Sequence, residues 1–435
     1  GNNPYSAAIG DLDGDGKPDL VTANYDSNTI SVYRNTSTSG SITASSFAAK
    51  VDFTTGTSPN SIDIGDLDGD GKPDLIVGND FSSTISVFRN TSTSGSITTS
   101  SFAAKVDFDT VNSPSAVAIG DLDGDGKTDM VIANYVSNTI SVFRNTSTSG
   151  SITTSSFAAK VDFTTGRLPE SIAIGDLDGD GKPDLAVVNQ ASHTISVLRN
   201  TSASGSITSG SFAAKVDFVT GFSPISIAIG DLDGDGKPDL AVANQILASV
   251  SIFRNTSTSG LIVTGSFAPK VDFSAGNVPS SVAISDLDGD GKPDLVTSNK
   301  SARNVSLLRN NSTSGSIAAG SFANKVDLAT SDGQNSVRIG DLDGDGKPDL
   351  VVALNSTGIS VFRNADIPIP TITGFTPLNA KPGDAVTLIG TNFNVTAANN
   401  IVFFGATKAS VTAATATSLT VTVPTGATYA PITVL

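Results

Sequence analysis

The 435-residue chain has no cysteine, no tryptophan, one histidine, one methionine and one glutamate, Glu170. Without cysteine there is no disulfide staple, no thiolate nucleophile and no thiolate metal site. With His193 as the sole imidazole, zinc sites built on several histidines are excluded. The missing tryptophan removes the largest aromatic surface on which a sugar ring stacks. No stretch approaches the roughly 20 consecutive apolar residues of a membrane-spanning helix. No signal peptide is visible at Gly1, as expected of a mature secreted chain or of a trimmed piece. Lys and Arg number 26 against 42 acidic residues, for a formal charge of −16. No basic patch suits a nucleic acid.

What the chain has is repetition. Asp-Leu-Asp-Gly-Asp-Gly-Lys-Pro-Asp occurs seven times at intervals of 55 residues, with Thr128 for proline as the one substitution. Its first, third, fifth and ninth positions are Asp11, Asp13, Asp15 and Asp19 in the first copy, then Asp66, Asp68, Asp70 and Asp74 in the second. The third and fourth copies place Asp121, Asp123, Asp125 and Asp129, then Asp176, Asp178, Asp180 and Asp184. The fifth has Asp231, Asp233, Asp235 and Asp239, and the sixth Asp286, Asp288, Asp290 and Asp294. The seventh has Asp341, Asp343, Asp345 and Asp349.

Four carboxylates crowded on one turn repel one another unless a cation lies among them. A hard cation with oxygen ligands, Ca²⁺, is the expected occupant, one per copy. Glycines such as Gly14 and Gly16 allow the tight turn. The seventh position (Lys17, Lys72, Lys127, Lys182, Lys237, Lys292 and Lys347) is expected to lend its backbone carbonyl and leave its ammonium in water. An EF-hand begins similarly, but it needs a glutamate at position twelve and flanking helices. Position twelve here is Thr22 and the flanks alternate like strands, which places the loop in a β-hairpin. The loops hold 28 of the 42 acidic residues, and seven divalent cations would bring the net charge to −2. The acidity therefore belongs to the loops, not to a tail for a basic partner.

Each period reads as four short strands, A to D, with the Asp loop between A and B. In the second copy these are Ser61–Ile64, Leu75–Val77, Thr84–Arg89 and Phe102–Phe108. Period-2 alternation in D puts Phe102, Ala104, Val106 and Phe108 on one face. Seven such units predict an all-β fold, a seven-bladed β-propeller with the Asp loops in the A–B hairpins. A stacked solenoid is the alternative. Strand D follows strand C only six times, because the chain after Ile359–Arg363 runs into Asp366-Ile367-Pro368-Ile369-Pro370. The strand completing the seventh blade would lie upstream of Gly1 or come from another chain. A blade edge left open invites β-augmentation.

The Asp-x-Asp-Gly-Asp-Gly-x-x-Asp loops within four-stranded repeats resemble the FG-GAP/VCBS repeats of integrin α-chain propellers and of many bacterial surface proteins. The resemblance covers residues 1–364. It implies Ca²⁺ in each A–B hairpin and a role in adhesion or extracellular scaffolding. The literal Phe-Gly and Gly-Ala-Pro signature is not obvious, so the bacterial branch fits better. Further on, Pro370-Thr371-Ile372-Thr373-Gly374-Phe375-Thr376-Pro377, Gly383 to Phe393, Val402-Phe403-Phe404-Gly405 and Leu419 to Pro424 resemble an IPT/TIG domain. That implies an immunoglobulin-like β-sandwich over 371–435, here lacking its last strand, after a linker at 365–370.

Alternating strand directions sort the loops. Asp loops and C–D loops share one face, which is monotonous. B–C and D–A turns share the other, which varies: Tyr25-Asp26-Ser27, Gln190-Ala191-Ser192-His193 and Arg167-Leu168-Pro169-Glu170 are examples. Variable loops on a rigid scaffold are where recognition sits, although drift after duplication leaves the same pattern. Glycosylation sequons begin at Asn35, Asn90, Asn145, Asn200, Asn255 and Asn310, and also at Asn299, Asn304, Asn311, Asn355 and Asn394. Either they carry sugar or the asparagines serve as turn formers.

No enzyme is expected. His193 reads as a solvated turn residue, and no Gly-x-Ser-x-Gly elbow exists. The carboxylates outside the repeat pattern, Asp26, Asp63, Asp80, Asp109, Glu170, Asp332, Asp366 and Asp384, leave a glycosidase pair as the remote alternative. Two readings remain. One is an extracellular structural subunit that joins copies of itself head-to-tail by strand exchange. The other is an adhesin that presents its variable face to a protein or glycan.

Overall fold

The computed structural model describes residues 1–356, 358–365, 370–427 and 431–434. Residues 366–369 of the expected linker, including Asp366, and Leu435 lie outside the described residues. The chain forms two compact units, Gly1–Asn364 and Ala365–Leu435.

The first unit is a seven-bladed propeller of antiparallel sheets. In the first blade strand A is Pro4–Gly10, B Asp19–Asn24, C Thr29–Tyr33 and D Val51–Thr54, paired in the order A-B-C-D. Every strand B is buried along its whole length, as in Asp129–Asn134. A strand covered on both faces by neighbouring blades has no solvent side, so it is apolar at nearly every position rather than at alternate ones. The core accordingly lies between blades. One layer joins Leu67, Ile76, Ile85 and Val87 of the second blade to Val117, Met130, Ile132 and Phe157 of the third. The ring closes in the same way: Ala7 and Leu20 of the first blade pack on Leu342, Val351 and Ala353 of the seventh.

Strand D is shorter than its sequence pattern suggests. In the second blade it spans only Val106–Asp109. Phe102 forms a lone bridge to Asn90, and Ala104 is exposed, not part of the buried face. The cause lies in strand C, which ends at Phe88 because the Asn90 side chain turns toward the neighbouring blade. The Ala103 amide still donates to the Arg89 carbonyl at 2.9 Å, but the register slips by one residue between the Val87–Val106 and Asn90–Phe102 pairs, so residues 103–105 form a bulge instead of a regular strand.

Among the described residues the seventh blade has three strands, Gln334–Gly340, Asp349–Leu354 and Ile359–Phe362. Its strand C is only half-buried. Grooves flank that strand. One of about 470 Å³ is lined by Leu307, Val326, Leu328 and Phe362, and another of about 580 Å³ by Tyr33, Phe47, Ile359 and Val361.

The second unit is a β-sandwich. Thr371–Thr376, Ala385–Thr391 and Ser418–Thr422 form one side. The long strand Thr407–Thr415 pairs with Ser418–Thr422 through its C-terminal half and with Val402–Phe404 through its N-terminal half. Ile432–Val434 completes the second side. Val386, Leu388, Val402, Phe404, Leu419 and Val421 fill the middle.

Candidate metal centres

Each Asp loop folds around its first carboxylate. In the first blade Asp11 Oδ1 accepts from the amide of Asp15 at 3.1 Å, and Oδ2 from that of Gly16 at 2.9 Å. Gly14 and Gly16 sit at φ +66° and +85°, with open space where a Cβ would stand. The loop is thus prepared by backbone geometry that glycine tolerates without strain.

Three carboxylates then converge. Oxygens of Asp11, Asp13 and Asp15 lie within 4.8 Å of one another, as do those of Asp66, Asp68 and Asp70 and of Asp176, Asp178 and Asp180. In two other loops the ninth-position residue joins instead: Asp121, Asp123 and Asp129, and Asp231, Asp233 and Asp239. The third-position carboxylate carries the clearest sign of a vacant valence. Asp68, Asp123, Asp178 and Asp233 each bury an Oδ2 with no hydrogen-bond partner, and Asp343 buries an Oδ1. A buried acceptor without a donor costs about 1–3 kcal/mol, more when charged. Burial, and next the neighbouring Asp70, raise the Asp68 carboxyl above its usual range. A divalent cation among these oxygens offsets both penalties, so the residues present fit Ca²⁺.

The ninth-position aspartates play a second part. Asp19 is fully buried. Its Oδ2 accepts from the Leu12 amide at 3.0 Å and its Oδ1 from the Asn35 amide at 2.8 Å. Burial pushes its carboxyl up to about 7 despite these bonds. Asp74, Asp129, Asp184 and Asp239 repeat the arrangement.

The lysine ammonium is not left to water. Lys17 Nζ donates to the Ser37 carbonyl at 2.6 Å, and Lys72, Lys127, Lys182, Lys237 and Lys292 do the same in their blades. The C–D loop passes directly over the Asp loop, so the flexible four-carbon stem finds a carbonyl before solvent.

A residue not singled out in the sequence reading completes the site. An arginine directly follows every strand C. Arg34 Nε lies 2.7 Å from Asp13 Oδ2, and its Nη2 3.0 Å from Asp15 Oδ2. Arg309 and Arg363 make the same pair of contacts. Elsewhere the guanidinium stands further off, as with Arg199 at 3.8 Å from Asp178. The signal was available, since Arg34, Arg89, Arg144, Arg199, Arg254 and Arg309 share the 55-residue spacing.

The sequon asparagines clamp neighbouring blades. Asn145 Nδ2 donates to Leu67 O in the preceding blade at 2.7 Å and to Thr128 O in its own at 2.8 Å. Asn35, Asn90, Asn200, Asn255 and Asn310 do likewise and are fully buried. A sugar on these nitrogens is incompatible with the contacts. Asn299 is also buried, whereas Asn311 and Asn394 are exposed.

The variable face has a uniform backbone beneath changing side chains. Ser58, Ser113, Leu168, Ser223 and Val278 all have φ between +47° and +57° at one position of the D–A turn. Asn28, Ser83, Asn138, His193, Ala248 and Arg303 are left-handed in the B–C turn. His193 is no free base. Its Nδ1 accepts from the Ser223 amide at 3.1 Å, as Asn138 Oδ1 accepts from the Leu168 amide at 2.8 Å.

Comparison with known proteins agrees with this geometry. The FG-GAP-like repeat model matches at residues 11–77, 66–132, 121–187, 181–242, 231–297 and 286–352. The chain belongs to the FG-GAP-like repeat family. An IPT/TIG domain matches residues 370–434. This FG-GAP repeat chain also resembles solved structures at the level of fold. BBS1N in complex with ARL6DN, soaked with lead, is 12% identical with a TM-score of 0.54, over 84% of this chain and 94% of that one. A lectin from Agrocybe aegerita, described as recognising non-reducing terminal N-acetylglucosamine, is 16% identical with a TM-score of 0.50, over 84% and 86%. No curated protein matches the chain. No helix among the described residues is long and apolar enough to cross a membrane. FG-GAP repeats followed by a TIG domain fit a surface or adhesion-type protein, and such domains are typically non-catalytic.

Proposed function

We propose that this chain is an extracellular, calcium-stiffened structural or adhesive protein that joins copies of itself through the seventh blade. The orphaned third-position oxygens of Asp68, Asp123, Asp178, Asp233 and Asp343 support a cation in five of the loops, and the repeated sequence extends the reading to the other two. Loops of this kind, without an EF-hand frame, fill best where Ca²⁺ is near millimolar, which is outside cells. Metal analysis in millimolar Ca²⁺ is expected to find about seven ions per chain, and fewer than about four would sink the calcium reading. Excess EDTA is expected to lower the melting temperature, because a ligand that binds only the folded state stabilises it.

The observation that carries assembly is the half-buried strand Ile359–Phe362 between two apolar grooves. In complete blades the equivalent space is filled by a segment such as Ser101–Phe108, whose Phe102 and Phe108 are both buried. A strand carrying two aromatic residues at that spacing, delivered by a neighbouring copy, would pair with the edge and fill both grooves. Repetition of a head-to-tail contact between the seventh blade and the C-terminal unit of the next copy gives a linear fibre. Electron microscopy and mass photometry of native material are expected to show oligomers that grow with concentration. Monomers at every concentration would remove the assembly reading and leave the calcium reading standing. A second reading, a monomeric adhesin, draws on the left-handed, side-chain-variable turns. Strained backbone held by a scaffold gathers at binding sites.

A further inference from the structure

We propose that the inner rim of the variable face, where the strands A begin, binds an organic ammonium group, held by the rings of Tyr5, Tyr25 and Tyr135 and the carboxylates of Glu170 and Asp80. The site is independent of the metal loops, which occupy the opposite face.

The second residue of each strand A stands at the same level on the innermost strand of its blade. In four blades it tethers the next one. Asn60 Nδ2 donates to Pro114 O at 2.7 Å and Ser115 Oγ to Pro169 O at 2.6 Å. Ser280 Oγ donates to Gln334 O at 2.8 Å and Asn335 Nδ2 to Pro4 O at 3.0 Å. These bonds fix the rim. Tyr5, Glu170 and Ile225 occupy the same position in the other three blades and break the pattern.

The residue after strand B forms the next ring outward. Tyr25 packs against Tyr5 with ring centroids 5.7 Å apart, and its hydroxyl donates to Asp80 Oδ2 at 3.1 Å. Ser113 Oγ donates to Asp80 Oδ1. Tyr135 is oriented by a bond from its hydroxyl to Gln190 Oε1 at 2.9 Å. Three of the five tyrosines in the sequence thus stand on this rim, two of them in ring contact. The half-buried Glu170 makes no hydrogen bond or ion pair among the described residues. Burial and then the charge of Asp80 push its carboxyl up to about 7; the rim's lysine, Lys300, is engaged with Asn335 Oδ1 at 3.0 Å. Burial, and next Glu170, push the Tyr5 hydroxyl up to about 12.

Two carboxylates beside partly exposed tyrosine rings suit a monovalent cation with N–H donors and a soft shell. Calcium is a poor match, because it needs six to eight oxygens. Both Asp80 oxygens already accept bonds, which leaves Glu170 as the one free carboxylate of the pair.

Because the chain has no tryptophan, tyrosine emission reports on the rim through three of its five tyrosines, and Tyr5→Ala identifies the rim's share. The full chain, saturated with Ca²⁺, is titrated with butylammonium and, separately, with butanol. A saturable change with a Kd on the order of millimolar is expected for the ammonium alone. Glu170→Gln is expected to weaken it by about tenfold or more, at an unimpaired melting temperature. Tyr5→Ala, followed by ligand-observed NMR, is expected to weaken it severalfold. No saturable response overturns the proposal. So does an equal response to butanol, which would mark an apolar cleft, or an unchanged affinity in Glu170→Gln.

Discussion

Blades one to six and the seventh blade share the Asp loop and the three inner strands, yet a polar path across strands B, C and D runs only through the six. In the third blade Asn134 Nδ2 donates to Ser141 Oγ at 2.9 Å, and Ser141 Oγ to Asp162 Oδ1 at 2.5 Å. Lys160 closes the path at 2.6 Å from Asp162. Strand D supplies the aspartate. In the seventh blade, where no such strand follows among the described residues, the asparagine is replaced by Leu354, which is buried in the core between the sixth and seventh blades. A buried amide with no Ser–Asp path to join would be a net cost, and leucine avoids it. The aromatic seams differ in the same sense. Phe108 meets Phe157 edge-on at 5.2 Å between the second and third blades, whereas Val326 beside the seventh blade is 59% exposed. Departures from the 55-residue period therefore report on a changed neighbourhood and are not noise.

The largest expected effect separates these seams. Phe157→Ala should cost about 3–5 kcal/mol, as a buried aromatic lost from a packed seam does. Leu328→Ala, on the half-covered groove, should cost about 1 kcal/mol or less. Urea unfolding measures both, and equal losses would break the distinction between sealed and open seams. Next, Asn145→Ala should cost about 2 kcal/mol, because three buried hydrogen bonds disappear. Asn364→Ala, half-buried at the edge, should cost roughly half as much. Leu354→Asn restores the residue of the other blades and should destabilise the isolated chain by about 1–2 kcal/mol. A neutral result would mean that the amide finds partners the edge is not expected to offer.

The smallest effect extends the comparison to a departure inside a complete blade. Glu170 has a carboxyl raised to about 7, above its ordinary unfolded value. The folded state therefore holds that proton more tightly, and stability falls as pH rises through the window from about 4.5 to 7. Glu170→Gln should melt about 1–2 °C above the parent at pH 8 and show no gain near pH 4. The same gain at both pH values would assign the effect to packing instead of charge.

Much of this was legible from spacing. The nonapeptide at Asp11 and its six successors located the A–B hairpins, and alternation in Thr84–Phe88 located strand C. The reading failed at Phe102–Lys105, where alternation continues but the register against strand C slips by one residue. It also failed at Lys17 and His193, both assigned to solvent. Their partners, Ser37 and Ser223, lie on loops whose proximity depends on how the blade folds back.

By itself the sequence determined the period, the place of the carboxylates, the number of sheets and the break in the pattern after Phe362, where no fourth strand follows among the described residues. Each is a local or periodic property, set by backbone turns and by side chains at fixed offsets. Tertiary structure alone decided which groups meet across the ring. Asn35 reaches Leu342, 307 residues away, to close it. Arg34 folds onto Asp13, and Tyr5 comes to share a rim with Glu170. Such meetings depend on the curvature accumulated over seven blades, a long-range quantity that no 55-residue window contains.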